Sequence, residues 1–349
     1  MTTDLKDRMS EKQFLNMVLD DMDQIVDELA SGKLHPMVKR CFAVQGKLTR
    51  PKAVFHLANV LACDLKQARA WAVTCELLHC ASLVHDDLQD GDLYRRGQPT
   101  MWSVYGENMA INLGDFLLLC APQALLEAPL PSDVKTRLHK EFIKMSTRMV
   151  GGQCEEFVLN ELGSCEDLYR SYLSCIGGKT ATFFAKLARG VATLSSANVD
   201  FLNQLETLFF DIGLLFQLQD DILDLYGDKQ RREVGCDIRE GKISILIVYQ
   251  LMLFPDRLKD TKQLLHTDRD QVSEEQVLAV RDQFISDGTL DAAIEDVQER
   301  MVHIAAHPLL EGYPGLRKLV TRLITDIVRP IEHLLTPCQD QVQQVTSSY

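Results

Sequence analysis

Three aspartates, Asp86, Asp87 and Asp90, stand in the stretch SLVHDDLQDGDLYRRGQPT, from Ser82 to Thr100, followed by a glycine and the adjacent pair Arg95 and Arg96. An α-helix turns about 100° per residue, so Asp86 and Asp90 project from one face with Asp87 beside them. Like charges held this close raise one another's pKa and cost a helix roughly 0.3 kcal/mol per pair unless a cation sits between them. Hard oxygen ligands without Cys or His suit Mg²⁺, which takes one or two carboxylates and completes its shell with water and substrate phosphate. Arg95 and Arg96 supply guanidinium forks that match phosphate oxygens. A single acidic run at a helix end is usually a solvated face. Here a second cluster, Asp220, Asp221 and Asp224, repeats the DDxxD spacing inside the apolar run FQLQDDILDLYGD. Two such clusters facing each other would hold several Mg²⁺ ions around one diphosphate, which points to chemistry that ionises a diphosphate.

The chain that must position these groups has 349 residues, 46% of them hydrophobic and 25% charged, enough to bury a substantial core. Its net charge of −13 argues against a nucleic-acid partner. The ten cysteines are scattered singly without a CxxC, which reads as reduced thiols of a cytoplasmic protein. The polar start MTTDLKDRMSEKQ has no apolar signal core, and no transmembrane segment is expected.

Helical spacing dominates. Ser10 and Gln13 form a capping-box pattern ahead of Phe14, Met17, Val18 and Ile25. Pro36 opens a second helix, the loop GKLTRP leads to a third near Pro51, and Asp64 caps a long one that runs into the first aspartate cluster and stops at Gly91. Ser132 is expected to cap another, and Gly177-Gly178 to break a helical region immediately before Lys179 and Thr180, with a kink or a close backbone approach. An apolar helix from Asn198 carries the second cluster, a charged loop spans Gly227 to Gly241, and Lys242 begins the next helix. Ser273 with Gln276 caps a later one. No stretch alternates with period two. The expectation is an all-α chain, one helical bundle around a central cavity over residues 1–335, with a disordered tail over 336–349.

With these segments placed, the chain resembles the trans-isoprenyl diphosphate synthases, the polyprenyl synthetase family, over roughly Gly46 to Ser244. GKLTRP looks like that family's GKxxRP, CELLHCASLVHDDLQD with RRGQPT like its first aspartate-rich region, GGKT like its KT motif, and FQLQDDILD with DIREGK like its second region. The resemblance implies three Mg²⁺ ions, held directly by Asp86, Asp90 and Asp220, with Asp87, Asp221 and Asp224 acting through the hydration shell. It implies that Arg95, Lys179, Gln217 and Lys242 hold an allylic diphosphate, and that Lys47, Arg50, His79 and Arg96 hold isopentenyl diphosphate. Backbone carbonyls near Lys179, the Thr180 hydroxyl and the Gln217 amide oxygen would face the allylic cation, and the chain would form a homodimer.

Three positions depart from the family pattern: Glu233 beside Arg232 where a lysine is usual, Trp102 where histidine is common, and Glu156 in place of the aspartate of GQxxD. The residues one turn before Asp86 are small, Ala81 and Ser82, so the floor met by a growing tail is expected lower, near Leu78, Leu77 and Thr74. That favours geranylgeranyl diphosphate, with twenty carbons, over the farnesyl product that a closing Phe116 or Met149 would give. A terpene cyclase of the same fold would not need Lys47, Arg50 and His79, and a non-catalytic subunit would carry a broken aspartate cluster.

Overall fold

The computed structural model describes residues 9–44, 46–161, 165–195, 197–227 and 234–335. The Arg232–Glu233 departure and the tail beyond Leu335 lie outside the described residues. Two compact units form: the described residues up to Ser146 with Lys186–Asn203, and Thr147–Ala185 with the described residues from Gln204 onward.

The first unit holds α1 (Glu11–Leu29), α2 (Leu34–Ala43), α3 (Thr49–Val60), α4 (Leu65–Gln89), the two-residue strands β1 (Tyr94–Arg95) and β2 (Gln98–Pro99), α5 (Met101–Tyr105), α6 (Glu107–Cys120) and α7 (Gln123–Glu127). The capping box forms as expected: Gln13 N–H donates to Ser10 Oγ and Ser10 N–H donates to Gln13 Oε1. Asp64 accepts from the Lys66 N–H at the start of α4. This helix is buried nearly all round and is the unit's axis. Its Trp71 is fully enclosed and donates from Nε1 to the Leu187 carbonyl at 2.9 Å. The indole occupies the space that a Cβ at Gly190 would need, so the glycine is what lets the two backbones close on the ring. His85 sits over Gly114 of α6 in the same manner.

The division between units falls within α8 (Ser132–Asn160), and the second unit continues with α9 (Leu168–Ile176) and the π turn Gly177–Ala181. Two helices in which the division also falls follow, α10 (Thr182–Leu194) and α11 (Val199–Tyr226). The second unit then adds α12 (Cys236–Arg239), α13 (Ile245–Leu253), α14 (Leu258–Leu265), α15 (Glu274–Ser286), α16 (Thr289–Ala305) and α17 (Pro314–Val328). The box on Ser273 and Gln276 opens α15.

Four local expectations change. Gly177-Gly178 makes the expected close backbone approach, on Gly152, where a Cβ at Gly178 would come within 2.8 Å of the Gly152 Cα, but the helix widens there into a π turn and does not break. Ser132 is the first residue of α8 rather than its cap. The charged loop includes α12, and α13 starts at Ile245, three residues after Lys242, whose N–H instead donates to the Asp237 carbonyl. The hairpin β1–β2 turns on Arg96 at φ 52° and Gly97 at φ 74°, the two left-handed positions of a tight antiparallel turn. Among the described residues the structure is all-α apart from that ribbon.

Candidate active site

In the first unit the aspartates occupy the last turn of α4. Asp86 and Asp90 keep partial exposure while Asp87 is buried. Burial pushes the Asp87 carboxyl up to about 6, against the pull of Arg95, whose Nε donates to its Oδ1. The hairpin sends the two arginines apart. Arg95 turns back to Asp87, and Arg96 reaches the entrance to the GKLTRP loop, where Nη1 donates to the carbonyl of Val44 at the end of α2 at 3.1 Å. Gly46 lies beneath this guanidinium, and a Cβ there would be 2.6 Å from Cζ. Arg96 therefore clasps the loop that carries Lys47 and Arg50. Lys47 is exposed, and Arg50, half-buried, donates from Nη1 to Thr49 Oγ1.

One face of α4 completes this basic group. His79 is 9% exposed, and burial, reinforced by Arg50, Arg96 and Arg95, pushes its imidazole well below the usual range, so it is neutral at pH 7. Three residues earlier, Glu76 is 7% exposed, and burial pushes its carboxyl up against the pull of Arg50 and Arg96. Its Oε2 has no hydrogen-bond partner among the described residues. Ala81 and Leu78 are buried, and Ser82, half-buried, donates to the His79 carbonyl at 2.9 Å.

In the second unit Asp220 keeps partial exposure, while Asp221 and Asp224 are buried. Asp221 is engaged at both oxygens: Oδ2 accepts from Tyr172 Oη at 2.6 Å and from the Ile245 N–H at 2.9 Å, and Oδ1 accepts from Gln217 Nε2 at 2.9 Å. Burial still raises its carboxyl to about 6. Asp224 Oδ2 accepts from the Asp237 N–H at 3.0 Å, fastening α11 to α12. Thr180 Oγ1 donates to Gln217 Oε1 at 2.7 Å. Lys179 pairs with Glu156 at 2.7 Å and Lys242 with Glu240 at 2.8 Å. Any anion that these lysines receive must compete with a carboxylate already beside them.

The donor sets fit a hard divalent cation. Among the described residues no three His, Cys, Asp or Glu side chains are grouped to hold a metal by themselves, and Mg²⁺ needs only one or two carboxylates when water and phosphate supply the rest. Asp86 with Asp90, and Asp220, are the partly exposed members of their clusters; Asp87, Asp221 and Asp224 are bound into the protein through Arg95, Tyr172, Gln217 and backbone amides. Trp102 serves the loop instead, donating from Nε1 to the Asp92 carbonyl at 2.7 Å.

Sequence reasoning did not single out Glu76, Tyr172 or Glu240. Glu76 is readable only as an acidic residue one turn before His79 on an apolar helix, and Tyr172 only as a tyrosine seven residues before Lys179.

The polyprenyl synthetase family model matches residues 32–282. The chain is 31% identical over 259 residues to a short chain isoprenyl diphosphate synthase of Methanocaldococcus jannaschii, covering 73% of this chain and 76% of that one. It is 34% identical over 229 residues to a geranylgeranyl diphosphate synthase of Saccharolobus solfataricus, covering 64% and 67%. A crystal structure of a geranylgeranyl pyrophosphate synthase superposes with a TM-score of 0.80 at 23% identity, over 92% of this chain and 99% of that one, a likeness of fold. The motif order, the fold and this match over most of the sequence together show that the chain belongs to the polyprenyl synthetase family.

Proposed function

We propose that this trans-prenyltransferase joins isopentenyl diphosphate to an allylic diphosphate in a Mg²⁺-dependent reaction and releases a short-chain all-trans product, geranylgeranyl diphosphate. The observation that carries the reading is the basic group of Arg50, Arg96 and a neutral His79 in the first unit, in addition to the lysines Lys179 and Lys242 of the second unit. A terpene cyclase has one diphosphate to hold and no use for the first group.

Bound Mg²⁺, held by Asp86, Asp90 and Asp220 in this proposal, supplies positive charge for the leaving diphosphate. The protein's own share follows from its side chains. Lys179, Lys242 and Gln217 hold the allylic diphosphate and stabilise the charge that grows as the C–O bond breaks. The Thr180 and Gln217 oxygens face the allylic cation without capturing it. Lys47, Arg50, His79 and Arg96 hold isopentenyl diphosphate so that its double bond attacks, and the proton then lost passes to the departing diphosphate.

The twenty-carbon product is supported by the small side chains of Ala81 and Ser82. A farnesyl product is the second reading, favoured by the burial of Ala81, Leu78 and Thr74, which leaves little open surface along α4 below Ser82. The exposed apolar residues Ile111 and Leu119 on α6 and Leu126 on α7 support a homodimer through this face. The same stretch, Glu107–Glu127, is long and apolar enough to cross a membrane, but Ala110, Leu113 and Leu117 are packed into the first unit. Eight of the nine cysteines among the described residues, Cys236 set aside, are free thiols, in keeping with a cytoplasmic setting.

Incubation with labelled isopentenyl diphosphate, Mg²⁺ and allylic diphosphates of five, ten and fifteen carbons tests the reading by chromatography. Elongated linear products ending at twenty carbons are expected. A cyclised hydrocarbon, or no elongation, would overturn it.

A further inference from the structure

In the second unit an unbroken hydrogen-bonded chain joins Tyr172, Asp221, Gln217 and Thr180. Its directions are forced by donor and acceptor chemistry. A carboxylate only accepts, so the Gln217 amide turns its nitrogen to Asp221 Oδ1 and its oxygen to Thr180. The Thr180 hydrogen is thereby committed to Gln217, and Thr180 Oγ1 offers only lone pairs to whatever else it meets. The polarity of the whole chain depends on where the Asp221 carboxylate points. Two donors on its Oδ2 set that direction: Tyr172 Oη at 2.6 Å from α9, and the Ile245 N–H at 2.9 Å from α13.

Both helices are fastened to one further carboxylate. Tyr169 Oη on α9 donates to Asp296 Oδ2 at 2.9 Å, and Tyr249 Oη on α13 donates to the same oxygen at 3.2 Å. Arg300 closes the group, with Nε on Asp296 Oδ1 at 2.8 Å and Nη2 on Tyr169 Oη at 2.8 Å. The donors to Asp221 are thus delivered from helices whose register is fixed on α16.

We infer that Tyr172 is a positioning residue for the reaction: it holds the carboxylate that orients Gln217, so that Thr180 presents an acceptor-only oxygen to positive charge developing on an allylic group. The inference rests on the prenyltransferase reading. As the allylic C–O bond breaks, both of its electrons leave on the diphosphate oxygen and the allylic carbons become positive. A Thr180 hydrogen directed at those carbons would oppose ionisation, whereas a preorganised lone pair favours it. Without the phenol the Asp221 carboxylate keeps one donor on Oδ2 and is free to turn, and the Gln217 amide loses its fixed sense.

The test is Tyr172→Phe in the full chain beside Tyr226→Phe, which removes a phenol hydrogen bond, to the Arg281 carbonyl at 2.8 Å, from α11 without touching the chain. Steady-state kcat and the KM for each substrate are measured with Tm and with the affinity for inorganic diphosphate plus Mg²⁺ by calorimetry. Tyr172→Phe is expected to lower kcat about tenfold or more, the scale of one hydrogen bond to a charged group, and to leave both KM values and the diphosphate affinity within about twofold. Combined with Thr180→Val it adds little to the loss from Thr180→Val alone, because both act through one chain. A kcat within about twofold of wild type for Tyr172→Phe, or an equal loss in Tyr226→Phe, overturns the role of Tyr172 alone. Absence of condensation by the wild-type chain overturns the prenyltransferase reading with it.

Discussion

The aspartates were legible because their spacing alone puts carboxylates on one helical face, and repulsion within such a set calls for a cation. Asp86→Ala or Asp220→Ala is expected to lower turnover by roughly three orders of magnitude or more with the fold intact, since each side chain is partly exposed and its loss relieves repulsion rather than packing. Retention of kcat within about tenfold would remove that residue from the metal set. Glu76 was not legible, because an acidic residue on an apolar helix reads as an interruption until Arg50 and Arg96 are placed beside it. Gly46 is a second case: its Cβ-free surface matters only once Arg96 lies over it. Gly46→Ala should displace the flexible guanidinium, raise the KM for isopentenyl diphosphate about tenfold and change Tm little; an unchanged KM would take Arg96 out of that subsite. His79 carries a pH dependence of definite sign. Folded, it stays neutral well below the usual imidazole range; unfolded, it takes up a proton below about pH 6.5. Unfolding then binds a proton, so His79 costs stability as pH falls, by up to about 1.4 kcal/mol per unit. His79→Gln should flatten the fall of Tm between pH 7 and 5, and an identical slope in both proteins would show that His79 is not the group responsible.

Among the elements, ends marked by local chemistry were readable. Ser10 with Gln13 and Ser273 with Gln276 cap their helices because the bonds involved span only three residues. The π geometry at Gly177–Ala181 and the β1–β2 hairpin were not, the first because it forms against a distant backbone and the second because its turn lacks the usual residue signal. Gly177-Gly178 reads as a break in isolation, yet the backbone of Gly152 on α8 approaches so closely that the turn widens and continues. Arg96-Gly97 carries no asparagine to announce left-handed positions, yet both lie there. Gly178→Ala or Gly152→Ala would force this crossing apart, because the added carbon meets backbone rather than a movable side chain. A loss of about 2 kcal/mol or more in denaturant unfolding is expected, with activity lowered through displacement of Lys179 and Thr180. Wild-type stability in both variants would show that the contact is loose.

At the scale of the molecule, α6 exposes the apolar side chains of Ile111 and Leu119, with exposed Asp115 one turn from each. Leu119 is 75% exposed, and Ile111 shares its side of α6. In the proposed homodimer through this face, Leu119→Asp is expected to reduce the mass measured by light scattering from that of a dimer to that of one chain, at unchanged helicity, because it puts an unpaired charge where an apolar side chain would be covered. A dimeric mass in the variant would move the interface elsewhere. Product length also belongs to this scale, since it depends on every side chain the tail meets. Ser82→Phe should shorten the product by at least one isoprene unit, and an unchanged product distribution would remove Ser82 from the tail's path.

The sequence by itself determined the all-α class, most helix positions, both aspartate clusters and the family motifs, because periodicity, caps and motif spacing are local properties of the chain. Tertiary structure decided which members of those motifs face solvent and which are bound into the protein. Asp86 and Asp87 are adjacent in sequence, yet one is partly open and the other lies buried on Arg95. Asp220 and Asp221 divide in the same way through Tyr172, Gln217 and the Ile245 amide. Arg95 and Gln217 are near in sequence, but Tyr172 and Ile245 lie tens of positions from Asp221, and the burial that divides each pair is set by packing that no local pattern encodes.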